Sequence, residues 1–129
     1  MKIRVYYEDT DAGGVVYHSN YLKFCERARS ELFFELYPSI FEAKTGHFLL
    51  AKANCAFVKS AKLGDILEVK NELLEVKNAS VLLKQELFRG EEKIFSAEFV
   101  LVYVKESKPQ VMSKELKETF VRLFSTQQS

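Results

Sequence analysis

The hydrophobic period of this chain switches between helical and strand spacing, and the order of those switches limits the folds open to it. From Tyr21 onward apolar residues recur at three- and four-residue spacing, at Tyr21, Phe24, Cys25, Ala28 and Leu32, while Lys23, Glu26, Arg27 and Glu31 fall elsewhere. That is the stripe of an amphipathic helix of about five turns. Ser19 and Asn20, both good capping residues, stand at its start, and its end is expected near Pro38. Further along the period becomes two. Lys52 to Lys59, Ile66 to Val76, Ser80 to Phe88 and Ile94 to Lys105 read as strands, parted by turn-forming runs such as Lys62-Leu63-Gly64-Asp65 and Arg89-Gly90-Glu91-Glu92. A first strand is expected over Lys2 to Tyr7, where Ile3, Val5 and Tyr7 alternate with Lys2, Arg4 and Tyr6, and a short second helix over Ser113 to Phe124. One long helix against a five-stranded antiparallel sheet is an α+β layer architecture, with the helix as filling and the sheet as wrapping.

Size and charge narrow the reading further. With 129 residues, 47% of them hydrophobic, a single domain over 1–129 is the economical choice. Folding such a chain can bury ~65% of its unfolded surface. Nineteen Lys and Arg against 18 Asp and Glu leave a net charge of +1, so no large field points to nucleic acid or an anionic membrane, and an anionic ligand must be held locally. Neither a signal peptide nor an apolar run of ~20 residues is present, and a cytoplasmic protein without a transmembrane segment is expected. Cys25 and Cys55 belong to apolar-patterned segments and read as buried thiols, not as a disulfide or a metal knuckle. Within Ile94 to Lys105, Phe95, Ala97, Phe99, Leu101 and Tyr103 form one face, and the other carries Ile94, Val100, Val102 and Val104. The helix covers only one of these faces. A second subunit is the simplest cover for the other, so an oligomer is expected.

The chemistry-bearing residues gather between the first strand and the long helix. There the chain carries Glu8, Asp9 and Asp11, the pair Gly13-Gly14, His18 and several tyrosines, at a place where backbone N–H groups can be aimed at a developing negative charge. Taken alone, these residues leave several roles open. Asp9 and Asp11 are both suited to accepting turn hydrogen bonds, His18 to ending a helix and Tyr7 to filling core. Glu8-Asp9-Thr10-Asp11 also has the pattern of a Mg²⁺-binding phosphotransfer site that uses Asp9 and Asp11, although the chain is short for the doubly wound domain that hosts one. His47, ahead of Phe48-Leu49-Leu50, reads as a loop or lid residue. No Gly-x-Ser-x-Gly elbow occurs, and Cys25 falls on the helix stripe, which disfavours a Ser or Cys nucleophile.

The run Tyr7-Glu8-Asp9-Thr10-Asp11-Ala12-Gly13-Gly14-Val15-Val16-Tyr17-His18-Ser19-Asn20-Tyr21, followed by Phe24-Cys25-Glu26-Arg27-Ala28-Arg29 and Leu63-Gly64-Asp65, resembles the signature of the YbgC branch of the hotdog-fold acyl-CoA thioesterases, relatives of 4-hydroxybenzoyl-CoA thioesterase. The resemblance implies a hotdog fold and hydrolysis of acyl-CoA to free acid and CoA, with no cofactor and no metal. It also implies a homo-oligomer, a dimer or a dimer of dimers with sites at the subunit interface, acyl carrier protein as a further partner, and a cytoplasmic role linked to envelope or phospholipid metabolism. Asp11 matches the family's catalytic carboxylate, either as a nucleophile that forms a mixed anhydride or as a general base on water. His18 matches a site histidine, and the helix start near it would polarise the thioester oxygen. Tyr7 matches a residue that can hydrogen-bond Asp11 or the attacking water. Gly13 and Gly14 would let the thioester approach the backbone, with Val15 and Tyr17 contributing to the substrate site. Lys59 and Ser60 stand where the family often has Arg-Pro, a place for CoA contact, with Lys62 and Arg89 as further basic groups for its phosphates. The alternative left open is the same fold without turnover, a module that binds acyl-CoA or acyl carrier protein.

Overall fold

The computed structural model describes residues 1–36 and 46–127. In chain order its elements are β1 (Lys2–Arg4), α1 (Asn20–Leu36), β2 (His47–Phe57), β3 (Ile66–Val76), β4 (Ser80–Arg89), β5 (Glu92–Lys105), β6 (Lys108–Pro109) and α2 (Lys114–Gln127), with a single 3₁₀ turn at Tyr7–Asp9. Pro38, where the sequence would end the long helix, lies outside the described residues.

The helix stripe does what its spacing dictates. Tyr21, Phe24, Cys25, Ala28 and Leu32 are buried, and Lys23, Glu26, Arg27 and Glu31 are exposed. The strands they face are antiparallel throughout, in the order β1-β3-β4-β5-β2, with β6 on the end of β5. On β4 the alternation is complete: Val81, Leu83, Gln85 and Leu87 are buried, while Leu82, Lys84, Glu86 and Phe88 are half-buried. One apolar cluster joins the start of α1 to the sheet through Phe24, Leu67, Leu87, Phe95 and Phe99. A second joins Leu32 to the sheet and α2 through Val81, Leu83, Leu101, Phe120 and Phe124.

Four differences from the sequence reading have local physical causes. The first strand stops at Arg4, because the chain is drawn into the 3₁₀ turn, so Tyr7 does not end a strand. β2 begins at His47 instead of Lys52; a register shift between Leu50 and Lys52 breaks the alternation there and hides the strand's first half. His47 therefore pairs with Val104 as a strand residue and is neither loop nor lid. The sheet has a sixth strand, the two-residue β6, reached through a hairpin whose central residues Glu106 (φ 52) and Ser107 (φ 64) adopt the left-handed region without a glycine to announce it.

The cysteines and the twice-apolar strand β5 also resolve. Cys25 is fully buried, which pushes its thiol up to about 12, whereas Cys55 is only half-buried on β2. Ile94 and Val104 are already covered within the chain. Large apolar side chains are left open at several places, and three of them, Leu49, Leu50 and Phe57, about half exposed each, lie on β2, the last strand in the sheet order.

A polar network sits under the middle of α1. The Gln85 amide donates to Asn71 Oδ1 (2.7 Å) and to the Cys25 carbonyl (3.1 Å), and its oxygen accepts from Arg29 Nη1 (2.9 Å). The Arg29 guanidinium also lies over the Phe99 ring at 4.7 Å. Arg29, Asn71 and Gln85 are all buried, so removing the shared partner strands a charge and an amide in a dry site. Gln85→Leu is expected to lower unfolding free energy by roughly 2–4 kcal/mol in chemical denaturation. A loss near zero would show that Arg29 and Asn71 need no partner there.

Candidate active site

The loop ahead of α1 is folded by its own acids, and it uses them differently. Asp9 is buried, and its Oδ2 accepts the Tyr6 N–H at 2.8 Å while its own N–H returns to the Tyr6 carbonyl at 3.0 Å. The Asp9 carbonyl accepts from Asn20 Nδ2 (2.8 Å) and from the Tyr17 N–H (3.0 Å). Both ends of the loop are thereby tied to the first residue of α1.

Asp11 stands outside this knot and is exposed. Its Oδ1 accepts the Gly13 N–H at 2.8 Å, an Asx turn, and its backbone closes a tight loop with Val15 (N–H to carbonyl, 2.9 Å) and Gly14 (carbonyl from N–H, 3.0 Å). Among the described residues, Oδ2 of Asp11 has no hydrogen-bond partner. One carboxylate oxygen is thus held in place and the other faces outward. Gly14 supplies the positive φ (81°) that closing the loop requires. A side chain at Gly13 would put its Cβ 3.2 Å from Asp11 Oδ1 and crowd the held oxygen.

Behind this loop lies the turn between β2 and β3. The Val16 N–H donates to the Ala61 carbonyl (2.9 Å), Val15 bridges to Lys62, and the Leu63 N–H reaches the Gly14 carbonyl (3.4 Å). The Ala61 N–H in turn donates to the buried hydroxyl of Tyr21 (3.0 Å). Acid loop, turn and helix start form one hydrogen-bonded unit.

His18 lies two residues before α1, just outside the helix start; the Asn20 N–H already turns back to the Tyr17 carbonyl at 2.9 Å. It is exposed, with its ring 4.3 Å from Tyr17 and 6.2 Å, edge-on, from Phe57 of β2. Among the described residues its backbone N–H has no acceptor. Asp11, Gly13, Gly14, Val15, Tyr17 and His18 are therefore brought together on one short stretch, next to the open edge of the sheet. Tyr7 is 82% exposed and makes no hydrogen bond to Asp11; among the described residues its carbonyl alone is used, by the Thr10 N–H and hydroxyl.

Lys59 and Ser60 are occupied by a charge cluster that pattern reading missed. Lys59 pairs with Glu92 (2.5 Å), Arg89 pairs with Asp65 (2.7 Å) and with Glu92, and Arg89 Nη1 also reaches the Ser60 carbonyl (3.3 Å). The Lys59 and Arg89 bonds hold the Glu92 carboxyl down at about 2. Partial burial raises Asp65, but hydrogen bonds from the Lys62 N–H and from Arg89 outweigh it, so its carboxyl lies below the usual range. The signal was present in sequence as opposite charges in two turns, yet nothing in either turn says that they meet. Asn20 was likewise legible as a cap, while its bond to a backbone oxygen eleven residues earlier was not.

Known proteins resemble this chain in sequence and in fold. The family model described as "Thioesterase-like superfamily" matches residues 5–120. A protein of Haemophilus influenzae named acyl-CoA thioesterase YbgC is 40% identical over 126 residues, which cover 94% of this chain and 93% of that protein. One of the same name from Helicobacter pylori is 47% identical over 90 residues, 68% of this chain and 65% of that protein. Among solved structures, a probable thioesterase from Bartonella henselae superposes with a TM-score of 0.79 at 30% identity, covering 88% of this chain and 96% of that one. A hypothetical protein from Aquifex aeolicus superposes at 0.85 with 27% identity, covering 92% and 96%. The antiparallel sheet curled around a long helix is the hotdog arrangement of these proteins.

The charge cluster makes a pH prediction. A carboxyl depressed on folding adds stability above its unfolded value, and that stability is lost as pH falls toward the folded value. Glu92, moved from 4.5 to about 2, thus acts in this acid window. Glu92→Gln should flatten the fall in melting temperature between pH 4.5 and pH 2, and a fall as steep as that of the unaltered protein would show that the pairing adds nothing.

Proposed function

This chain belongs to the thioesterase-like superfamily, and we propose that it hydrolyses acyl-CoA, water and the thioester giving a free acid and the CoA thiol. The observation that carries this reading is the division of labour between the two acids. Asp9 is consumed in holding the loop, whereas Asp11 has one oxygen held by Gly13 and the other open. Such an oxygen can attack the thioester carbonyl to form a mixed anhydride with departure of the CoA thiolate, or can take a proton from a water that attacks instead. In either course negative charge grows on the carbonyl oxygen. The N–H groups at the start of α1 and of His18 are suited to meet it, aided by the helix dipole.

The remaining residues have supporting places in this reading. Gly13 and Gly14 let the substrate approach the loop backbone, Val15 and Tyr17 wall the acyl entry, and Tyr7 meets the attacking water from the solvent side. CoA would lie along Lys59 and Ser60. Lys59 is neutralised by Glu92, so Lys62 on the same turn, which makes no salt bridge within 4.0 Å among the described residues, is the better phosphate contact. An acyl group on acyl carrier protein presents the same thioester and would use the same site.

The active form is proposed to be a homodimer, or a dimer of dimers, of this single domain. Leu49, Leu50 and Phe57 on the unpaired edge of β2 favour a second copy there, which would bring a partner against His18 beside Phe57. A monomer in sedimentation would remove this part of the reading. The phosphotransfer alternative is disfavoured because it needs both acids on one cation, and the Asp9 carboxylate is buried against the Tyr6 N–H.

The test is release of free thiol from acyl-CoA thioesters of several chain lengths by the purified protein. Turnover on the order of 1 per second or faster, undiminished by a chelator, is expected for at least one of them. Saturable binding without thiol release would instead make the protein a binding module.

A further inference from the structure

The acid loop is hydrogen-bonded to the turn between β2 and β3, and one side chain grips both ends of that turn. Arg89, at the end of β4, sends Nη1 to Asp65 Oδ2 (2.7 Å) and to the Ser60 carbonyl (3.3 Å), while Nε (3.1 Å) and Nη2 grip Glu92. Glu92 is braced on its other oxygen by Lys59 (2.5 Å). The two ends of the turn, Ser60 and Asp65, are therefore clasped by a single planar fork. Within the turn Asp65 Oδ2 also accepts the Lys62 N–H (2.8 Å), which fixes the residue that bridges to Val15. Three further bonds tie the turn to the site, Ala61 to Val16 and to Tyr21 and Leu63 to Gly14, while Gly64 and Asp65 bond Val5, and the Gly64 carbonyl also accepts from Arg4 Nη1 (3.3 Å).

We propose that Arg89 is a positioning residue for the reaction. Its guanidinium sets the shape of residues 60–65, and through Ala61 and Lys62 sets where Val15 and Val16, and with them Asp11, stand relative to the start of α1. This inference rests on the thioesterase reading for its catalytic half only. Each ion pair in the cluster is partly exposed and weak as a source of stability. Two positive and two negative groups nonetheless lock one geometry, and a fork that joins two acids and a carbonyl cannot be replaced by the point charge of lysine. Small displacements of a reacting group cost rate much more than they cost folding.

The experiment compares Arg89→Gln and Arg89→Lys with the unaltered protein by amide hydrogen exchange and by steady-state thiol release. Exchange at Val16, whose N–H bonds the turn, should speed up about tenfold in Arg89→Gln, while exchange at Leu83 in the core of β4 stays unchanged. kcat should fall by about tenfold or more with KM within about twofold, and Arg89→Lys should recover only part of it. Unchanged Val16 exchange together with unchanged kcat in a folded Arg89→Gln protein overturns the proposal. If Arg89→Gln does not fold, Asp65→Asn and Glu92→Gln each remove one arm, and the same Val16 and Leu83 amides decide. Should the unaltered protein release no thiol at all, the thioesterase reading fails, and Val16 exchange still decides whether Arg89 sets the loop.

Discussion

The site depends on one knot of hydrogen bonds around Asp9. Its carboxylate takes the Tyr6 N–H, and its carbonyl takes the Asn20 side chain and the Tyr17 N–H, so the chain entering the loop and the chain leaving it are tied at one residue. Without that tie, the four exposed residues from Asp11 to Gly14 would have to pay the entropy of ordering with little apolar burial to offset it. With it, the loop is short enough for one Asx turn and one positive-φ glycine to fix Asp11. The exposed acid can be directed because the buried one is spent.

Much of this frame is legible in the sequence, for reasons that can be located. The stripe from Tyr21 to Leu32 and the alternation of β4 are long, periodic and buried on one side, so pattern and packing agree. β3 was readable to its exact ends, Ile66 and Val76. Legibility failed where geometry overrides period. The register shift near Leu50 concealed the first half of β2, and the hairpin through Glu106 and Ser107 concealed β6. Tyr7 continued an alternating pattern, yet the Asp9 carboxylate drew the chain into a turn first.

The site shows the same split. The family signature isolates the loop, and local turn chemistry explains how Gly13 and Gly14 serve it. Which of two similar acids is buried cannot be read from spacing, since Asp9 and Asp11 differ only in what lies across from them: Tyr6 and Asn20 for one, a glycine turn for the other. The Lys59–Glu92–Arg89–Asp65 cluster is invisible for a related reason. It joins two turns more than twenty residues apart, and the antiparallel pairings of β3 with β4 and of β2 with β5 bring them together. The open apolar edge of β2 beside His18 then links the site to assembly.

The central claim is that the twin acids divide structure from chemistry, and parallel measurement of stability and turnover in Asp9→Ala and Asp11→Asn tests it most directly. The account predicts that Asp9→Ala loses about 1–3 kcal/mol of unfolding free energy. It predicts that Asp11→Asn keeps its melting temperature within a few degrees while kcat drops by about a thousandfold. An Asp11→Asn protein with full turnover, or an Asp9→Ala protein that keeps its stability and alone loses turnover, would contradict it.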